Sequence, residues 1–405
     1  MATDRYTIIS ADTHAGGSHA QYREYLEEKY LEDFDAWRGK YKNPFKDLGD
    51  NRRLRNWDNE MRTTQQLEDG VVGEVIFPNT VPPFFPSFVL FAAPPKPEDY
   101  EHRLAGIRAH NRWLVDFCAD YADQRAGIGQ IFVNNLEDAM ADVQWIADSE
   151  LRGGILLPNI PPDAHWVEHH LFDPYWEPLW ALCAETGVPV NAHGGTGVPD
   201  FGKVPAAQLL YIAEAGFYSQ RPVLHLLRSG VFERHPVLKF VMTEMGASWL
   251  PALLRRLDGT LKRIRDHGST GEIRYGDESK LPRSATDYFN QNCWVGISQP
   301  KPGDVDAMNE LGLERFMWGS DYPHDEGTAP FTREHLRQLF SGWSEEQMRP
   351  FLAYNVAELY DFDLDALAPI AAKWGPTVAE ISKPLLELPP EPNEALLGGA
   401  GLGRD

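Results

Sequence analysis

The chain has 405 residues, 42% of them hydrophobic and 12% aromatic, enough for a substantial core and too apolar for a mainly disordered protein. Its 60 acidic and 38 basic side chains leave a net charge of −22, the opposite of the basic footprint that nucleic acid requires. Three widely spaced cysteines, no leader-like N-terminus and no run of about 18 apolar residues exclude a disulfide frame and a membrane partner, so a cytoplasmic location is expected.

The first apolar, β-branched run, Tyr6–Ala11, leads directly into Asp12-Thr13-His14. A charged, aromatic-rich stretch over 16–62 follows and reads as an insertion ahead of a helix at Arg62–Leu67. The second run is Val71–Phe77. It opens onto Pro78–Pro97, whose seven prolines and four phenylalanines exclude a helix and are too apolar for a solvated linker. That segment is expected to be a lid or a pocket wall. Next come a helix at Glu101–Tyr121, the run Ala126–Phe132, a helix at Leu136–Asp148 and the run Gly153–Leu157. They are followed by a helix at Tyr175–Glu185, the run Val188–Ala192 and a helix at Ala207–Ser219. The series closes with Lys239–Thr243, a helix at Ser248–Arg263, Asn292–Ile297 and Arg315–Trp318.

Short apolar runs without strict alternation suit strands buried on both faces, and eight of them interleaved with helices predict a parallel (β/α)8 barrel over 1–361, the 16–62 insertion included. An open doubly wound sheet would need a Gly-rich phosphate turn after its first strand, and Ala11-Asp12-Thr13-His14 is not one. Beyond Asp361 the repeat stops. Residues 362–405 read as an arm on the barrel or on a neighbouring subunit, with a disordered end.

In such a barrel, catalytic side chains project from the carboxyl ends of the strands. Asp12 and His14 alternate so that both face one centre. His193 closes the fifth strand, Glu244 the sixth, and Asp321 the eighth, with His324 three residues on. A mixture of imidazole and carboxylate without cysteine points to a catalytic zinc, iron or manganese site. Alone, Asp321 reads equally well as a helix cap and His324 as a turn residue. Ligand-type residues at four strand ends select the metal reading. His165 and His169 have helical metal-pair spacing but lie in a Pro-rich loop, His225 suits packing or a substrate contact, and His235 precedes the sixth strand, at the barrel bottom. Lys203, Arg221 and Arg228 read as solvated surface.

These motifs resemble the amidohydrolase superfamily, in the branch of aminocarboxymuconate-semialdehyde decarboxylase and related aromatic acid decarboxylases. The resemblance rests on Ile9-Ser10-Ala11-Asp12-Thr13-His14, Asn191-Ala192-His193-Gly194, Glu244-Met245-Gly246-Ala247 and Trp318-Gly319-Ser320-Asp321-Tyr322-Pro323-His324. It implies metal ligands at Asp12, His14, His193 and Asp321, with Asp321 also a general base, and it implies a dimer. Where those decarboxylases carry a histidine, this chain has Glu244. That departure, and a ligand set larger than one tetrahedral ion needs, point to one or two divalent ions bound by Asp12, His14, His193, Glu244, Asp321 and His324, with Asp321 and His324 catalytic. The first expectation is a hydrolase in which metal-bound hydroxide attacks an ester, thioester or activated C–C bond of a bulky hydrophobic or aromatic acid derivative. The alternative is non-oxidative decarboxylation of an aromatic or unsaturated acid.

Overall fold

All eight apolar runs form strands and pair in sequence order, every neighbour parallel. In this computed structural model, which describes residues 4–42 and 50–399, they are β1 (Ile9–Ala15), β2 (Gly73–Pro78), β3 (Arg125–Gln130) and β4 (Gly154–Leu156), then β5 (Val190–His193), β6 (Phe240–Thr243), β7 (Cys293–Ser298) and β8 (Phe316–Gly319). The eighth strand meets the first through Asp321 N donating to Asp12 O at 2.9 Å and His14 N donating to Tyr322 O at 2.7 Å. The chain is thus stitched into a nearly closed barrel at the two strand ends richest in ligand-type residues.

The first strand lies further along the chain than expected, starting at Ile9 instead of Tyr6 and running through Asp12 and His14 to Ala15. Its register against β2 shifts between Ser10 and Thr13. Such an irregularity bends a strand and re-aims its side chains, and here it falls on the ligand pair.

Helices cover the outside. The expected insertion is itself helical among the described residues, with α1 (His19–Tyr25) and α2 (Leu31–Lys40) burying Tyr22 and Phe34. The next helix, α3 (Asn59–Asp69), starts three residues early because Asp58 caps it by accepting from Met61 N. Then come α4 (Tyr100–Ala119), α5 (Leu136–Asp148), α6 (Glu177–Thr186) and α7 (Pro205–Ser219), close to their expected bounds. Sequence patterning passed over the helices Ala285–Asn292, Pro302–Leu311 and Thr332–Phe340.

One apolar layer joins strands to helices and holds Trp176, Trp180 and Trp318. A second contains Ile9, Ala11, Val75, Phe77, Val241 and Met317, and continues into Val356, Leu359 and Tyr360. Each such buried side chain is worth about 1.5–3 kcal/mol, so the barrel is a rigid mount for its rim. The arm lies on its own barrel: Tyr6 N donates to Pro376 O, Val378 N donates to Asp4 O, and Leu396 is fully buried. The last residues of the expected disordered end, 400–405, lie outside the described residues. No helix among the described residues is long and apolar enough to cross a membrane.

Candidate metal centre

The strand ends bring the expected residues together. His14 Nε2 stands 3.3 Å from Asp12 Oδ1 and 3.2 Å from Asp321 Oδ1. His193 Nε2 stands 3.5 Å from Asp12 Oδ1 and 3.4 Å from Glu244 Oε2. Two overlapping ligand groups result, Asp12–His14–His193–Glu244 and His14–Asp321–His324, sharing His14. Asp12, His14, His193 and Asp321 are buried, whereas Glu244 and His324 keep 30% and 27% of their side chains exposed at the rim.

The inner four fit a cation. Asp12 Oδ1, both ring nitrogens of His14 and His193 Nε2 are buried without a hydrogen-bond partner. A buried polar atom left unpaired costs about 1–3 kcal/mol, and a divalent ion would engage Asp12 Oδ1, His14 Nε2 and His193 Nε2 at once. The His193 ring is held with Nε2 inward by an Nδ1 contact to Gly194 O at 3.0 Å.

The carboxylates are braced from behind. Ser298 Oγ donates to Asp12 Oδ2. Gln299 Nε2 donates to Asp321 Oδ2 at 2.6 Å, and His324 Nδ1 lies 2.7 Å from Asp321 Oδ1. His324 Nε2 in turn meets Asn79 Oδ1 at 3.1 Å, and Asn79 Nδ2 donates to Asn56 Oδ1 at 2.6 Å. Glu244, Gln299 and Asp321 take φ values of 58°, 48° and 60°. A non-glycine residue in that region costs roughly 1–3 kcal/mol, and three at neighbouring strand ends mark a backbone shaped for the site.

Charge follows the same geometry. Burial works against the Asp12 carboxylate, but His14 and His193 outweigh it and hold the group below its ordinary range. Burial and the nearby charge of Asp321 push Glu244 up to about 8. Burial opposes the positive charge of His324, yet Asp321 carries it up to about 10. Three carboxylates gathered around three imidazoles form a ligand set that a divalent cation suits.

Sequence reasoning missed Ser298, Gln299 and Asn79. The same strand-end rule finds Ser298 and Gln299 once β7 is extended by one residue, and Asn79 once β2 is extended to Pro78, although none of the three has a ligand-type side chain. Of the other histidines weighed in the sequence, His165 is exposed, His169 pairs with Asp173 at 2.9 Å, His235 pairs with Glu177 at 2.8 Å, and His225 packs edge-on against Phe172. The segment Pro78–Pro97 does form a pocket wall. Its residues Val89–Pro94 line a cavity of about 60 Å3 with Gln130, Leu157, Gly195, Thr196 and Tyr211, at the carboxyl ends of β3, β4 and β5.

The Amidohydro_2 family, described as amidohydrolase, matches residues 65–362. The chain is 22% identical over 224 residues to the gamma-resorcylate decarboxylase of Rhizobium sp. (strain MTP-10005), a match over 54% of this chain and 65% of that one. It is 26% identical over 218 residues to Decarboxylase orsB of Emericella nidulans, over 51% of this chain and 60% of that one. The chain therefore spans a little under two thirds of these curated relatives. In fold it is similar to the 5-carboxyvanillate decarboxylase of Novosphingobium aromaticivorans, crystallised with manganese and 4-hydroxy-3-methoxy-5-nitrobenzoic acid, with a TM-score of 0.64, 19% identity and coverage of 89% and 100% of the two chains.

These relatives overturn the expectation of a hydrolase, thioesterase included. That expectation leaned on Glu244 and on a surplus of ligands. Glu244 stands at the rim beside His193, and a carboxylate there adds charge around an ion without calling for a bound hydroxide.

Proposed function

Because the chain belongs to the Amidohydro_2 amidohydrolase family, we propose that it removes carbon dioxide non-oxidatively from a hydroxylated aromatic acid at a divalent-metal centre. The observation that carries this reading is the set of unpaired, buried ligand atoms on Asp12, His14 and His193, in a chain whose curated relatives are named as aromatic acid decarboxylases. Asp12, His14, His193 and Asp321 would hold the ion, with Glu244 beside it. Asp12 and Asp321 both approach Nε2 of the one His14 ring, which favours a single ion over two. Manganese, present in the structural neighbour, is the first metal to try, ahead of zinc and iron. When bound, the ion supplies positive charge that anchors the acid through its carboxylate and neighbouring hydroxyl.

The chain's own residues then handle the proton. Decarboxylation adds a proton to the ring carbon that bears the carboxylate. The bond between that carbon and the carboxylate breaks, its electron pair returns to the ring, and carbon dioxide leaves. Asp321 is the residue assigned to carry that proton. His324, hydrogen-bonded to its Oδ1 and steadied by Asn79, is the group from which Asp321 is replenished. Gln299 holds the other carboxylate oxygen so that the proton-bearing edge stays aimed at the substrate.

We also infer a homodimer. The α7 helix exposes Leu209, Ile212 and Phe217 at 71%, 75% and 65%, and self-complementary pairing about a twofold axis is the simplest way for one kind of chain to bury such a face.

The function is tested by incubating manganese-loaded protein with 2,6-dihydroxybenzoate and 5-carboxyvanillate in D2O. Release of carbon dioxide with one deuterium at the vacated ring carbon supports it. Incorporation of water oxygen into a new carboxylate, without carbon dioxide, would sink it.

A further inference from the structure

A cleft of about 450 Å3 opens beside the carboxyl ends of β1 and β2, between Gly17–Ala20 and Val81 on one side and Arg38, Tyr41 and Arg53 of the insertion on the other. That volume falls within the roughly 300–1,000 Å3 of small-molecule sites. None of the six ligand-type residues lines it. Asn56 does, and Asn79 bridges Asn56 to His324 through contacts of 2.6 and 3.1 Å. The cleft is therefore a neighbour of the metal centre and not a part of it.

Its chemistry is cationic and aromatic. No carboxylate among the described residues lines it, in a chain with 60 acidic side chains. Arg38 and Arg53 are exposed, and neither guanidinium has an ion-pair or hydrogen-bond partner among the described residues. A single exposed arginine is ordinary surface. Here two converge on one opening, beside a Tyr41 hydroxyl that is buried without a hydrogen-bond partner. Such a group costs about 1–3 kcal/mol until something accepts from it. His19 donates from Nε2 to Val81 O at 3.0 Å. Burial, with the charges of Arg38 and Arg53, brings this imidazole down to about 4, so at pH 7 it is neutral and the cations of the cleft are the two arginines. The His19 and Tyr41 rings meet edge-on at 5.2 Å, and Trp57 adds a further aromatic wall.

We propose that this cleft is an accessory site for an aromatic carboxylate, with the ring against Tyr41 and Trp57 and the carboxylate shared by Arg38, Arg53 and the Tyr41 hydroxyl. A carboxylate matches the planar edge of a guanidinium and keeps lone pairs for a hydroxyl donor as well. Two aromatic side chains favour an acid carried on a ring over a bare oxyanion. Binding here involves no metal ligand, so it is independent of the reaction that the centre performs.

Calorimetry on the manganese-loaded protein compares naphthalene-2-carboxylate with its neutral carboxamide and with inorganic phosphate. The acid is expected to bind at least tenfold more tightly than either, the scale of one charge-assisted hydrogen bond. Its advantage over the amide is expected to vanish in a variant carrying both Arg38→Gln and Arg53→Gln, and to shrink in Tyr41→Phe. Because both arginines are exposed and unpaired, manganese content and thermal midpoint are expected to stay unchanged in the double variant. Equal affinity for acid and amide overturns the site, and so does binding of neither. A preference that survives the double variant overturns it too, by placing the carboxylate at the metal centre. Phosphate bound as tightly as the acid overturns the aromatic assignment.

Discussion

Arg62 donates from Nη1 to the main-chain carbonyl of His14 at 2.7 Å, and its Nε reaches the Glu74 carboxylate at 3.0 and 3.1 Å. Arg125 approaches Glu74 from the other side at 3.2 Å, and Thr13 Oγ1 donates to Glu74 Oε2 at 2.8 Å. A single buried carboxylate therefore anchors the residue between the two ligands of β1 and the cation that fixes the backbone of the second. The candidate metal site rests on this network, although none of its members belongs to the two ligand groups.

Replacing Glu74 by Gln should destabilise the protein by about 3 kcal/mol at pH 7, since removing one partner of a buried ion pair strands the others. Burial acts to raise the pKa of Glu74, but Arg62 and Arg125 overcome it and bring the group down to about 2. A carboxyl with a depressed folded pKa contributes stability that is complete above its unfolded value and is lost as pH falls through its folded one. Urea unfolding of the two proteins should thus differ fully at pH 7 and progressively less from pH ~4.5 downward. A gap that stays constant to pH 3 would refute the assignment.

Gln299 to Ala removes the donor that holds Asp321 Oδ2. The expected result is a loss of about tenfold in kcat, the scale of one mispositioned hydrogen bond, with KM little changed. Asp321→Asn should go further and abolish turnover while leaving the circular dichroism spectrum intact. A Gln299→Ala enzyme with a raised KM and an unaltered kcat would place Gln299 in substrate binding instead.

Much of this was legible in the sequence because strand ends carry chemistry in a barrel. The eight apolar runs located the strands, and Asp12, His14, His193, Glu244 and Asp321 stood where side chains converge. Three things escaped for physical reasons. Arg62, Glu74 and Arg125 are charged, and composition alone cannot distinguish a buried, mutually paired charge from a solvated one. Gln299 and Asn79 follow strand ends too, but as neutral hydrogen-bond partners they carry no ligand-type side chain to mark them. The reaction class is not legible in the ligands, because hydrolysis and decarboxylation draw on the same types, and neither Glu244 nor a surplus of ligands decides between them.

The exposed apolar face of α7 offers a test of assembly. Ile212→Glu places a charge on that face without touching the barrel core. Sedimentation velocity should show a dimer for the unmodified protein and a monomer for the variant, with both unfolding at similar temperatures when dilute. A dimer that survives the substitution would move the interface elsewhere, to the insertion or the C-terminal arm.

Metal removal should weaken the fold as well as stop turnover. Apo protein leaves Asp12 Oδ1, His14 Nε2 and His193 Nε2 unpaired in a buried site, so an ion that binds only the folded chain stabilises it by mass action. At a free manganese concentration 100-fold above the dissociation constant the gain is about 2.7 kcal/mol. Dialysis against chelator should lower the thermal midpoint, and adding manganese should restore it. Binding requires neutral imidazoles and ionised carboxylates, so protons compete with the ion and metal content should fall as pH drops from 7 to 5. Asp12→Asn removes one negative charge from the ligand set and should lower affinity at least tenfold while shrinking the manganese-dependent shift in midpoint. An unmodified protein whose midpoint ignores both chelator and manganese would remove Asp12, His14 and His193 from any metal role.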